Sequence, residues 1–527
     1  MLNLSILLEN TAREQPEKTA ILFRQYRFTY RQINEMANQV AHGLVAAGVR
    51  KGDKIAVSCP NLPYFPIIVY GILKAGAVVV PLNVLLKRRE IAYHLSDSEA
   101  VGYICFEGTE HLRIAEEGYE GFKEAQTCDH FWIVPWTPGA ASPIPGVPTL
   151  MELMGPHPVT FETVPTRPDD TCTIIYTSGT TGRPKGAELS HFNIVVNCWT
   201  LRDMSNFGKD EKILVVLPLF HSFGYTCQMH AGFLSGATLV LLPRFDADEV
   251  LKSFQNDGIT VFAGVPTMYW ELLNHPELDA FDLKKISQTL RLCSSGAAAL
   301  PVEVLRKFDE KFGAKILEGY GLSETSPVAS FNRPDKPRKP GSVGLPVWGV
   351  EMMIVDDAMR EQKTGERGEI VIRGHNIMKG YYRHDEANDE AFRGGWFHSG
   401  DIGYKDEDGY YYIVDRSKDM IIRGGFNVYP REIEEVLMMH PAISLAAVVG
   451  VPHEEYGEEV KAYVILANGT KVTPSEIIAW SKKEMASYKY PRHVEIVDTL
   501  PMGPTGKILK SELRKLSAES SGASTSS

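Results

Sequence analysis

Several stretches of the chain pass from a helical spacing of apolar residues into a short, continuous apolar run. "YFPIIVYGILKAGA" leads into "VVVPL", "REIAYHLSDSEA" into "VGYICF", and "ADEVLKSFQNDG" into "ITVFAGVP". A helix followed by a Val/Ile-rich run predicts α/β units, because strands buried on both faces of a parallel sheet need no polar alternation. This texture holds over residues 1–415 and predicts a large N-terminal α/β domain of several subdomains with mostly parallel sheets. From Arg416 onward the rhythm changes. "REIEEVLMMHP" and "PSEIIAWSKKEMAS" read as helices, and "AISLAAVVGVP", "EEVKAYVILANG" and "RHVEIVDTLP" as strands, followed by a last helix. Residues 416–516 therefore form a small α+β domain of their own, and "SAESSGASTSS", without apolar periodicity, predicts a disordered tail over 517–527.

The remaining segments are punctuation. "PGAASPIPGVP", Pro138 to Pro148, is a surface connection. The most apolar window, from Tyr64, is cut by Pro66, Lys74, Gly76 and Pro81 into pieces too short to span a bilayer. The opening "MLNLSILLENTAREQPEK" reads as a short amphipathic helix and not as a signal peptide.

Composition adds bounds. A chain of 527 residues exceeds one hydrophobic core, and a net charge of -11 gives no electrostatic reason to expect nucleic acid as a partner. Any anionic ligand has to be held locally. Seven scattered cysteines without a C-x-x-C pair point to a reducing, cytoplasmic setting.

The densest candidate chemistry is "YTSGTTGRPKGAELSH", Tyr176 to His191, just after the strand-like "TCTII". Glycines allow backbone N–H groups to curl around phosphate oxygens, and hydroxyls and a lysine add donors. The order Gly179, Gly182, Lys185, Gly186 does not fit the G-x-x-x-x-G-K-[ST] spacing of a P-loop. Taken alone, a Gly/Ser/Thr cluster is more often an ordinary turn than a phosphate cradle.

This stretch closely resembles the AMP-binding signature of the adenylate-forming superfamily, which includes acyl-CoA synthetases, adenylation domains of peptide synthetases and beetle luciferases. "PLFHSFG", "SSGAA", "EGYGLSE", "HSGD", "VDRSKDMIIRGGFNVYP" and "PTGK" follow in the family's order across most of the chain. The resemblance implies a large N-terminal domain and a small mobile C-terminal one. It also implies a two-step reaction. A carboxylate attacks the α-phosphate of ATP, giving acyl-AMP and pyrophosphate, and a thiol then displaces AMP.

On the same resemblance, Thr177, Ser178, Gly179, Thr180, Thr181 and Gly182 wrap the phosphates and Lys185 faces the leaving pyrophosphate. Thr177 and Glu324 serve Mg²⁺. Within Glu318, Gly319, Tyr320, Gly321 and Ser323, Tyr320 stacks on adenine and Ser323 meets the α-phosphate. Gly296 and Ala297 allow close backbone approach, Asp401 accepts from the ribose hydroxyls, and Arg416 makes a second ribose or phosphate contact. Lys507 bridges the substrate carboxylate and the α-phosphate. The hinge falls on Lys418, where many relatives carry Asp. Gly424 and Gly425 line a tunnel for the pantetheine arm of CoA after domain rotation, and Tyr488 and Arg492 fall where relatives contact the CoA nucleotide. His221 stands where relatives place a gate or pocket wall.

Amino-acid-activating relatives usually carry an aspartate at the position of His221, so an acid with an uncharged tail is favoured, with "FAGVPTMYW" (Gly264, Val265, Thr267, Met268) suited to an aliphatic one. Glu188, where an apolar residue is more usual, is expected to be peripheral. The reading is an ATP- and Mg²⁺-dependent fatty-acid CoA ligase, similar to bacterial long-chain and medium-chain enzymes. Its alternatives are a coumarate-type aryl-acid CoA ligase, a stand-alone enzyme loading a carrier protein, and a catalytically silent nucleotide-binding protein. Peripheral membrane contact and the choice between monomer and homodimer stay open.

Overall fold

The computed structural model describes residues 1–110, 112–177, 183–416 and 419–523. Ser178, Gly179, Thr180, Thr181, Gly182 and Lys418, named above for the phosphates and the hinge, lie outside the described residues.

Two large sheets dominate. In the first, Thr171–Thr177, Val78–Pro81, Lys54–Ser58, Ala100–Phe106 and His130–Val134 run parallel in that spatial order, and Lys185–Ser190 and Gly380–Tyr381 add antiparallel strands at the Thr171–Thr177 edge. In the second, Ile316–Gly321, Leu292–Ser295, Val261–Gly264, Lys212–Val215, Thr238–Leu241 and Thr19–Phe23 form the parallel centre. Antiparallel strands close both of its edges. The predicted helix-to-strand units occupy these sheets: helix Tyr64–Lys74 precedes Val78–Pro81, Arg88–Asp97 precedes Ala100–Phe106, and Ala247–Asn256 precedes Val261–Gly264. The helices shield apolar strands on both faces, which is why the runs need no alternation.

A third sheet departs from the parallel rule. Val350–Val355, Gly368–Gly374, Phe397–Lys405 and Tyr411–Arg416 form an antiparallel meander. Its last strand ends at Arg416, and the next strand, Ile421–Arg423, belongs to a different sheet built with Phe426–Val428, Gly457–Leu466, Ile443–His453 and His493–Ile496. The helices Pro430–Leu437 and Pro474–Glu484 complete this C-terminal unit. The final helix runs from Lys510 to Ala523, past residue 517 where the sequence texture begins a disordered tail. The Ser-rich composition hides an anchor: Ser517 is buried, and its hydroxyl donates to the Leu513 carbonyl at 3.0 Å and meets the Tyr463 hydroxyl.

The C-terminal unit is seated on the second sheet. Thr267 Oγ1 donates to the Gly506 carbonyl at 2.6 Å, and Trp270 Nε1 to Ser444 Oγ at 2.7 Å. Arg431 reaches back from helix Pro430–Leu437 to the carbonyls of Ile413 and Gly341. Beside it, Glu318 is 4% exposed and accepts from the Gly341 amide at 3.2 Å. Burial pushes the Glu318 carboxyl up to about 7, against the opposing pull of Arg431. A folded-state value above the unfolded one means that the native protein binds the extra proton, so stability falls as pH rises from the unfolded value toward 7. We therefore expect Glu318→Gln to melt above wild type at about pH 8, by up to about 3 kcal/mol, and level with it at about pH 4.5. Thermal melts across that range check this, and a wild-type advantage at alkaline pH would contradict it.

Candidate active site

The parallel strands of the second sheet end together, and their carboxyl ends are where a doubly wound sheet leaves a crevice. Strand Leu292–Ser295 turns at Gly296 and Ala297, the latter with φ of 66°. Strand Ile316–Gly321 runs into the short turn Ser323–Thr325. Opposite them stand Thr177 and Lys185, paired across the edge of the first sheet. Between the two sheets lies a cavity of about 780 Å³.

Lys185, Glu324 and Thr177 line the cavity together, and a residue without a sequence signal of its own connects two of them. Tyr381 donates to Glu324 Oε1 at 2.9 Å, while the Lys185 ammonium sits 5.0 Å from the centre of the same ring. The segment carrying Tyr381 straps the two sheets. Asn376 donates to the Val328 carbonyl (3.1 Å) and Met378 N–H to that of Glu324 (2.8 Å), while Lys379 and Tyr382 N–H reach Glu188 and Gly186 (2.9 and 2.8 Å). Glu188 itself turns away and accepts from Thr171 Oγ1 at 2.8 Å.

A second acid is fixed from two sides. Tyr320 Oη donates to Asp401 Oδ2 at 2.6 Å, and Arg416 Nε lies 3.3 Å from Asp401 Oδ1, in register on the neighbouring strand. Asp401 is buried, and Tyr320 and Arg416 line the cavity beside it. Ser323 also lines the cavity, its Oγ 3.3 Å from Ser222 Oγ.

The C-terminal unit supplies Lys507 to the same cavity, on a loop whose Gly506 has no room for a β-carbon against Val265. His221 lies close enough for this ammonium to act on it. Burial, with Lys507 adding to it, holds the His221 imidazole down at about 4, and its Nδ1 accepts from the Phe223 amide at 3.3 Å.

Other expected residues are placed differently. Glu318 is buried at the junction with Arg431 and does not line the cavity, since its carboxyl turns to the Gly341 amide. Gly319 and Gly321 do line it, yet their lack of a side chain is required by protein packing: a β-carbon at Gly321 would strike the Pro327 carbonyl, and one at Gly319 the Phe331 ring at 2.7 Å. A β-carbon at Gly296 would come within 3.2 Å of Phe223. Gly424 and Gly425 occupy the turn between Ile421–Arg423 and Phe426–Val428, away from the cavity lining, near the stacked rings of Phe426 and Tyr488 (4.8 Å between centroids). The "FAGVPTMYW" stretch contributes Ala263 to the lining, with Val261 just before it, whereas Val265 and Thr267 hold the Gly506 loop instead.

The site thus combines the cations Lys185, Arg416 and Lys507, two buried carboxylates each with a tyrosine donor, and an apolar extension between strands. Among the described residues no cluster of three His, Cys, Asp or Glu could hold a metal by itself, and no helix is long and apolar enough to cross a membrane. The AMP-binding enzyme family matches residues 8–382, and the AMP-binding enzyme C-terminal domain matches residues 432–507. The chain is 38% identical to a long-chain-fatty-acid–CoA ligase of Bacillus subtilis (strain 168), over 97% of this chain and 93% of that one. It is 36% identical to a feruloyl-CoA synthase of an Amycolatopsis species, over 96% and 97% of the two chains. The crystal structure of the anthranilate CoA ligase AuaEII with anthranoyl-AMP superposes with a TM-score of 0.88 at 30% identity, over 98% of this chain and 97% of that one. Matched along nearly its whole length in sequence and in fold, the chain belongs to the AMP-binding enzyme family and is an AMP-forming acid–thiol ligase of the acyl- and aryl-CoA ligase type.

Proposed function

We propose that the acid is a fatty acid, activated by ATP and transferred to CoA. The observation that carries this reading is the deep end of the cavity, where Leu201, Phe207, Ile213, Val261 and Leu292 present apolar surface and no ionisable side chain. An aliphatic tail gains from such a lining, and a charged or amino-bearing tail would be left unpaired. The resemblance to a feruloyl-CoA synthase supports an aryl acid as the second reading.

In the first half-reaction a carboxylate oxygen forms a bond to the α-phosphorus of ATP while the bond to the β-phosphate oxygen breaks and pyrophosphate leaves. Lys507, from the C-terminal side, neutralises the attacking carboxylate and the α-phosphate at once, and Lys185 takes the charge appearing on pyrophosphate. Ser323 donates near the α-phosphate, Asp401 accepts from the ribose, and Tyr320 offers its ring to the base. Thr177 and Glu324 suit Mg²⁺, a hard cation that takes one or two protein oxygens and fills its shell from phosphates and water. When bound, the ion supplies further charge neutralisation. Tyr381 keeps the Glu324 carboxylate oriented for it.

In the second half-reaction the CoA sulfur attacks the acyl carbon and AMP leaves with the electron pair of the broken acyl–oxygen bond. Rotation of the C-terminal unit would bring Gly424 and Gly425 to the cavity in place of Lys507. Either half-reaction is driven by positioning and charge stabilisation, with His221 as a neutral wall.

Assays of pyrophosphate release and CoA consumption across straight-chain, branched and aromatic acids test the substrate class. Straight-chain acids are expected to give the highest kcat/KM, and preference for cinnamates would replace this reading with the aryl one. Lys507→Ala is expected to cut pyrophosphate release roughly 100-fold or more while leaving thioester formation from supplied acyl-AMP within about fivefold. Equal loss in both halves would remove Lys507 from its role. Because the His221 imidazole is neutral above about 4, His221→Phe should keep the wild-type shape of the kcat/KM profile between about pH 5.5 and 8. A step near 6.5 present only in wild type would count against the wall.

A further inference from the structure

The deep end of the cavity has a defined geometry. Ile213, Val261 and Leu292 stand in register on three adjacent parallel strands, and Ala263 pairs with Ser294 one row nearer the reactive end. Residues two apart on a strand share a face, so these rows pave one continuous wall. From Leu292 to Gly296 the wall covers about 13 Å at ~3.3 Å per residue, the span of roughly ten carbons of an extended chain.

Phe207 stands beyond the deep row and also lines the cavity. It follows the helix His191–Ser205 in a stretch where Asn206 and Gly208 are exposed. Behind it is Arg291, which does not line the cavity and whose side chain is 38% exposed. The guanidinium lies 6.0 Å from the centre of the Phe207 ring. It donates to the carbonyls of Ser205 and Asn206 at 3.2 and 3.1 Å, and through Nε to Glu211 at 2.8 Å. Glu211 is buried and accepts in turn from Thr260. One planar fork thus ties Arg291 to residues 205–206 and to Glu211 beside one aromatic ring, and Glu211 carries the link on to Thr260. The Arg291 side chain beside the ring reaches the protein surface.

We propose that Phe207 is the end wall that sets the length of acid the enzyme accepts, with Arg291 as the residue that positions it. The proposal rests on the acid occupying this apolar end, as in the preceding section. With the wall in place, a chain longer than the paved depth meets the ring. With the wall removed, its end emerges at the surface beside Arg291.

The test is kcat/KM for pyrophosphate release over a series of straight-chain acids, with wild type, Phe207→Ala, Phe207→Trp and Arg291→Gln compared at matched thermal melts. For acids about four carbons beyond the wild-type optimum, Phe207→Ala should raise kcat/KM at least ~10-fold while shorter acids stay within about threefold, since each misfitting methylene is worth roughly that much. Phe207→Trp should move the cut-off the other way, and Arg291→Gln should broaden it without changing the rate on the shortest acids. Length profiles that superimpose for all variants, or a uniform loss at every length, would overturn the proposal. Should Phe207→Ala fail to fold, Phe207→Trp decides alone: a shortened cut-off supports the wall and an unchanged one overturns it. If wild type activates aromatic acids and no straight-chain acid, the fatty-acid reading fails by itself. The same variants are then read on 4-alkylbenzoic acids of growing length, where a shifted cut-off upholds the wall and an unshifted one removes it.

Discussion

The hydroxyl of Thr267 donates to the carbonyl of Gly506, and the tight approach of Val265 at that glycine admits no side chain. Through this contact the small C-terminal unit places Lys507 in a cavity otherwise built from the large N-terminal region. The chain carries an excess of acidic over basic residues, 66 against 55, so a site that receives anions cannot rely on a general positive field. It needs cations delivered one by one. Lys185 comes from a strand edge and Arg416 from the end of the antiparallel meander, and Lys507 is the only one whose arrival depends on how two folding units are seated.

The acids near the cavity show the complementary rule. A buried carboxylate is tolerable when donors surround it. Asp401 is held by Tyr320 and Arg416, and Glu324 by Tyr381, so both keep oxygen atoms directed by neighbouring groups. Glu318 is met by the Gly341 and Leu300 amides and by the charge of Arg431, and burial still pushes its carboxyl toward neutrality. Two glutamates of one motif, Glu318 and Glu324, thus stand in different surroundings, one at the domain junction and one on the cavity.

This difference marks how far the residues could be read without coordinates. The helix-to-strand units were legible because a strand buried on both faces leaves a continuous apolar run, as in Val78–Pro81 and Ala100–Phe106. The antiparallel meander was not, since its strands are interrupted by exposed positions such as Glu351 and Arg373. The family motifs bring Lys185, Glu324, Tyr320, Arg416 and Lys507 to one cavity. Glu318 sits inside such a motif yet turns its carboxyl to the Gly341 amide at the domain junction, although Tyr320, two residues on along the same strand, lines the cavity. Tyr381, Phe207 and Arg291 had no local signal. Their places depend on pairings between segments tens to hundreds of residues apart, and only the fold makes those neighbours. The end of the last helix was misread for a related reason, since the partner of Ser517 is Tyr463.

The strap over 376–382 has a thermodynamic consequence. Parting the two large sheets on the Glu324 side breaks at least three of its hydrogen bonds, from Asn376, Met378 and Tyr381. At about 1 kcal/mol each, these alone leave fewer than about one molecule in a hundred with the sheets apart. The Glu324 side of the cavity is therefore a stiff wall with a small standing population of open forms. By contrast, the Gly506 loop meets the large region through the Thr267 hydroxyl and the Val265 side chain, so the lysine is delivered across a junction and the strapped wall is built within one unit.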